Sequence, residues 1–210
     1  NIRSQPRVEL TAGVYFIYDT NSPSTYPVGG PAASDVVETL NDVFEQAQIA
    51  FTLAESVATN IAYDSSGLAT DTNGMFEFAE ESILTNLTWQ GDVVIFFAKK
   101  SGETYGGGST NFIRGWALGD LDGGIVFVDD CLSTAIPLIA AHEVGHNLNL
   151  STWWSTSPPM FTGHDHGPWP TGETALMRSG TNDVGGIVDS PGRWIRHEDW
   201  KEANNKAGGL

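Results

Sequence analysis

The residues His142-Glu143-Val144-Gly145-His146 place two imidazoles four positions apart, with a carboxylate directly after the first. On a helix, positions 142 and 146 stack on one face, so both rings can reach a single ion at the roughly 2.0–2.1 Å typical of zinc to nitrogen. A metal held in this way lowers the pKa of a bound water toward about 7, and Glu143, beside the first imidazole, is placed to accept that water's proton. The metal ligands His142 and His146 and the general base Glu143 therefore arrive as one unit. A chance match of five residues is the competing explanation. Against it, the motif sits within a well-delimited helical pattern, and three of the five histidines, His164, His166 and His197, follow it and are available to complete a site.

The elements that must position this unit are readable from periodicity. The motif helix is expected from residue 133 or 134 to 148, with Pro137 in its first turn and Ile136, Leu138, Ile139, Ala140 and Val144 as its apolar content. Strands are expected at 14–18, 49–53, 92–98, 113–118 and 124–129, the last two joined by the turn at 119–123. The unbroken apolar run at 92–98 predicts a strand covered on both faces, with helices as its neighbours. Val36, Val37, Leu40, Val43, Phe44 and Ala47 recur at steps of three and four, which predicts a helix over 34–48 with Ser34 as its N-cap. A loop at 60–74, a short helix at 75–84 and a final helix starting near residue 190 and including Trp194, Ile195 and Trp200 complete the pattern. The order of strands and helices predicts an α/β (α+β) fold.

Composition limits what such a site can serve. The 210 residues, 40% of them hydrophobic, suit one compact domain. With 26 acidic and 10 basic residues the net charge is −16, which repels phosphate backbones and anionic headgroups, so no nucleic-acid partner is expected. No stretch approaches the roughly 20 apolar residues needed to span a bilayer, so membrane insertion is not expected. Beginning at Asn1 without a basic-then-apolar leader, the chain reads as a mature or trimmed form. The single cysteine, Cys131, permits no internal disulfide and lacks a nucleophile context. The glycine-rich segment 101–110 is not a phosphate loop, because no Lys-Ser or Lys-Thr follows it, and no G-x-S-x-G element supports a serine hydrolase. Asp120, Asp122 and the acidic residues within 64–71 are candidates for Ca2+, with turn chemistry and solvation as the alternative. The sequons Asn86-Leu87-Thr88 and Asn149-Leu150-Ser151 are short matches, and glycosylation at the second would block the expected helix exit.

The stretch from His142 to Leu150 resembles the active-site helix of the metzincin clan of zinc endopeptidases, particularly the adamalysin-like and pappalysin-like branches, whose extended motif is H-E-x-x-H-x-x-G-x-x-H or D. Gly115-Trp116-Ala117 and Gly123-Gly124-Ile125-Val126-Phe127-Val128 are similar to the edge strand and the next strand of such enzymes, and Ala175-Leu176-Met177-Arg178-Ser179 to their methionine turn. The resemblance implies a twisted mixed sheet with the active-site helix in an upper subdomain (1–149) and a smaller irregular lower subdomain (150–210) holding the third ligand, the methionine turn and the C-terminal helix, all one catalytic domain. Two positions depart from the clan's pattern. Asn149 stands where the clan has Gly; Asn is the next-best residue for a left-handed exit from the helix. Thr152 stands where the third ligand belongs and cannot replace an imidazole. The replacement is sought in His164 and His166, with His164 preferred because His164-Asp165 resembles the His-Asp pair ending the adamalysin-like motif; an Asp, Glu173 or His197 is the alternative. No tyrosine follows Tyr105, so the metal-assisting tyrosine of astacin-like and serralysin-like enzymes has no counterpart.

The expectation is thus a secreted, monomeric zinc endopeptidase. His142, His146 and His164 would hold Zn2+, Glu143 would activate the metal-bound water, and a protein or peptide substrate would lie extended along the edge strand near 115–118. Two rivals make different predictions. A noncatalytic binding or adhesion domain, with a functional surface formed by tryptophans such as Trp153, Trp154 and Trp169, requires a closed four-ligand metal. A zinc hydrolase outside the clan requires an acidic third ligand.

Overall fold

The computed structural model describes residues 5–18, 27–60, 84, 87–99, 115–118, 122–128, 133–150, 176–177, 195 and 199–210. Among the described residues, five strands form one sheet: β1 (Val8–Tyr18), β2 (Ile49–Asn60), β3 (Val93–Ala98), β4 (Gly115–Leu118) and β5 (Gly123–Phe127), in the order β2-β1-β3-β5-β4. Neighbours in β2-β1-β3-β5 run parallel, and β4 joins β5 antiparallel at the edge. The sheet is therefore mixed, as expected.

Strand alternation divides the sheet into two faces. Leu10, Ala12 and Val14 of β1, Ile49 and Phe51 of β2, Val93, Ile95 and Phe97 of β3 and Val126 of β5 enter one core. On them lie α1 (Ala33–Phe44), through Val36, Leu40, Val43 and Phe44, and α2 (Ile136–Asn147), through Ile136, Ile139, Ala140 and Val144. All six residues of β3 are buried, but both of these helices lie on this one face. On the opposite face Tyr15 and Phe96 pack around Trp89, at centroid distances of 4.6 and 4.9 Å from it. The helix expected at 75–84 lies outside the described residues, apart from the buried helical residue Leu84.

Several boundaries move, each for a local reason. Ser34 does not cap α1: the Ala32 carbonyl accepts the amides of Asp35 and Val36, and the Ser34 hydroxyl instead donates to Asp35 Oδ1 at 3.3 Å. The helix stops at Phe44, and residues 45–47 tighten into a 3-10 turn that ends at Gln48 with φ 57°. β1 begins at Val8 rather than 14, and β2 extends to Asn60 rather than 53. Most of the outer half of β2 is exposed, so pairing with β1 along its whole length, not burial, carries it.

The last helix, α3 (Asp199–Ala207), begins later than expected, and Ile195 lies outside it. Trp200 Nε1 donates to the Ile195 carbonyl at 2.9 Å and joins the two. The Asn204 amide donates to Ala47 O at 2.9 Å and Pro6 O at 3.1 Å, so α3 is tied to the base of the N-terminal layer. No described helix is long and apolar enough to cross a membrane.

Candidate active site

The motif helix α2 forms where the sequence places it. Pro137 occupies its first turn, where a missing N–H costs no helical hydrogen bond. Nine of its residues are buried, among them His142, Glu143 and Asn147. The imidazoles of His142 and His146 stand one turn apart, with ring centroids 4.9 Å from each other and planes at 87°. His142 Nδ1 lies 2.7 Å from the Leu176 carbonyl oxygen. A carbonyl only accepts, so Nδ1 carries the proton and Nε2 the lone pair, which is the tautomer a metal ligand needs.

Glu143 is 6% exposed, and burial pushes its carboxyl up to about 8. It lies against Gly115 of the edge strand β4. Asn147, one turn further on, donates from Nδ2 to the carbonyls of Gly123 at the start of β5 and of Glu143, the latter at 3.3 Å. This side chain ties α2 to the strand beside β4.

The chain leaves α2 as expected. Leu148 N donates to Val144 O and Leu150 N to Gly145 O, at 3.0 and 2.9 Å, while Asn149 adopts φ 59°. A left-handed residue at this point turns the backbone sharply, and Asn tolerates that conformation better than most side chains. The buried pair Leu176 and Met177 lies beneath the helix. A β-carbon on Gly145 would sit 2.6 Å from Met177 Sδ, so glycine lets this segment come close enough for its carbonyl to reach His142.

His164, His166, Glu173 and His197 lie outside the described residues, and no group of three or more His, Cys, Asp or Glu gathers among those described. Of the calcium candidates, Asp120 and the segment 64–71 are likewise outside, and Asp122 faces Lys206 Nζ at 3.6 Å. The donors on α2 fit Zn2+: two imidazoles one turn apart, one with its tautomer set by a backbone carbonyl, next to a buried carboxyl whose raised pKa a divalent cation would pull down. Sequence reasoning missed Gly115, Asn147 and the Leu176 carbonyl as parts of this arrangement. Asn147 carried a signal, being the one polar residue of this helix that does not belong to the His142-to-His146 motif; a backbone carbonyl carries none.

Residues 32–151, more than half of the chain, match the reprolysin-like metallopeptidases of family M12B. The chain belongs to this family. The sequence resemblance to metzincins is thereby supported, and the reprolysin-like chain is a metallopeptidase whose membership implies Zn2+. No curated relative matches it. Solved structures share its fold, three of them as follows. Archaemetzincin from Methanopyrus kandleri aligns with a TM-score of 0.54 at 15% identity, covering 96% of each chain. Promirolysin from Tannerella forsythia aligns with a TM-score of 0.52 at 13% identity, over 98% of this chain and 82% of that one. A zinc-dependent peptidase from Methanocorpusculum labreanum gives 0.50 at 14% identity, over 92% and 99%. The mixed sheet and the motif helix thus belong to a metzincin-type fold.

Proposed function

We propose that the protein is a zinc endopeptidase in which His142, His146 and His164 hold the ion and Glu143 is the general base. The observation that carries this reading is the buried Glu143 carboxyl on the same helical turn as two facing imidazoles, with His142 locked by the Leu176 carbonyl. Bound zinc supplies Lewis acidity, polarising a peptide carbonyl and making water more acidic. The residues of the chain do the rest. His142, with its proton kept on Nδ1, offers Nε2 as a ligand, and the carbonyl behind it keeps the ring from turning.

The Glu143 carboxylate takes the proton of the attacking water and passes it to the leaving amine. Strand β4, at the end of the described sheet, offers its outer backbone groups to an extended polypeptide, whose peptide bond then lies beside Glu143. The cleft lies between this layer and residues 150–210, which supply His164. The same reading makes the enzyme secreted and monomeric.

The test is Glu143→Ala. The variant should keep its zinc, measured by elemental analysis, and lose roughly 100- to 10,000-fold in azocasein cleavage. Cleavage at the parental rate would overturn the role of Glu143. Separate His164→Ala and His166→Ala variants should differ, with zinc lost from the first alone.

A further inference from the structure

We propose that Gly115 is a positioning residue whose missing side chain sets the place of the Glu143 carboxylate; this rests on the reading of Glu143 as the base. Gly115 pairs with Val126 across the β4–β5 ladder. Val126 is buried in the core beneath α2, so the side-chain direction at 115, on the same face of the sheet, is also toward α2. A β-carbon built there would lie 2.9 Å from Glu143 Cδ and 3.0 Å from Cγ, and would overlap Oε1. The carboxyl therefore fills the volume that any other residue at 115 would occupy.

The backbone gives no separate reason for glycine. Gly29 and Gly91 have φ of 89° and 123°, which favour glycine, whereas Gly115 is not among the residues of positive φ. Gly115 is the first residue of β4, and the three atoms nearest to its built β-carbon all belong to the Glu143 side chain. Asn147 ties α2 to Gly123 on the neighbouring strand, so the movable end of the Glu143 side chain, and not the helix, is the part that gives way. Bare backbone at 115 does two things at once. It lets the carboxyl reach the strand that would hold the substrate, and it stops the carboxyl at one distance from that strand. An added methyl would displace it by a fraction of its own size, and a misplacement of about 1 Å costs about 100-fold in rate.

The experiment is a two-by-two cycle of Gly115→Ala and Glu143→Ala, read by melting temperature, cobalt affinity and azocasein kinetics. Gly115→Ala alone should lower kcat by about 100-fold with KM changed by no more than about twofold, and leave cobalt affinity unchanged. Because the colliding atoms are the movable end of the Glu143 side chain, any loss of melting temperature should be small in the parent and absent in the Glu143→Ala background, where the collision partner is gone. If Gly115→Ala alone fails to fold, the double variant should fold. An equal loss of melting temperature in both backgrounds would overturn the proposal, as would an unchanged kcat. Activity retained by Glu143→Ala would defeat the base assignment instead, while the melting cycle would still decide whether residue 115 and Glu143 compete for space.

Discussion

The two helices on the same face of the sheet solve different problems. α1 is amphipathic: Val36, Thr39, Leu40, Val43 and Phe44 are buried, and Asp35, Glu38 and Asp42 are exposed. α2 has no exposed residue along its length, yet keeps His142, Glu143 and Asn147 inside. A helix buried on nearly every side ordinarily carries apolar residues throughout, because each polar group removed from water must find a partner. In α2 the partners are specific and distant in sequence: the Leu176 carbonyl for His142 and the Gly123 carbonyl for Asn147. α1 is therefore scaffold that tolerates exchange of its outer residues, whereas α2 depends on groups contributed by other parts of the chain.

The largest expected effect belongs to the scaffold. Phe44→Ala removes a fully buried ring that packs against Phe51 at 5.6 Å, and should cost about 3–5 kcal/mol in urea unfolding without changing kcat of the folded, zinc-loaded enzyme. A change in kcat at full occupancy would break the division between the two helices. On α2, Gly145→Ala should push Met177 away and take the Leu176 carbonyl from His142. Loss of such a supporting hydrogen bond lowers metal affinity about 10- to 100-fold, which competitive titration with a chelator would read.

Asn147→Ala should destabilise by about 1–3 kcal/mol and speed amide exchange at the start of β5, since the Gly123 carbonyl loses its side-chain donor. The smallest effect lies on the far side of the sheet and acts as a control. Burial raises the Tyr15 hydroxyl above its ordinary 10, a backbone hydrogen bond with Gln90 opposes this, and the hydrogen bond and charge of Glu55 add to it. Because the folded-state value is the higher one, this contribution is present in full below about pH 10 and disappears as pH rises through the folded-state value. Tyr15→Phe should flatten the fall in melting temperature above about pH 10 and leave zinc affinity unchanged.

Much of the fold was legible in local pattern. All five described strands arise where β-branched and aromatic runs place them, but β1 and β2 reach further than their apolar residues suggest. Pairing partners extend a strand beyond the part that is buried, and no local window contains the partner. Ser34 shows the opposite failure: a good capping residue stands inside the first turn because the backbone closes on the carbonyl of Ala32. At the site, Asn149 was readable as the bend, since only a few residue types accept left-handed φ. Gly115 was readable as part of an edge strand but not as the neighbour of Glu143.

The chain by itself determined whatever depends on one or two helical turns: imidazoles at 142 and 146 on a single face, the carboxylate between them, Pro137 at the entry and Asn149 at the exit. Helical geometry is the same in any surroundings, so spacing alone settles these. The strand order of the mixed sheet, the carbonyl that sets the tautomer of His142 from 34 residues away, and the burial that raises Glu143 were decided only when separate elements packed. Those properties come from the exclusion of water between distant segments, and that exclusion exists only once the core has closed.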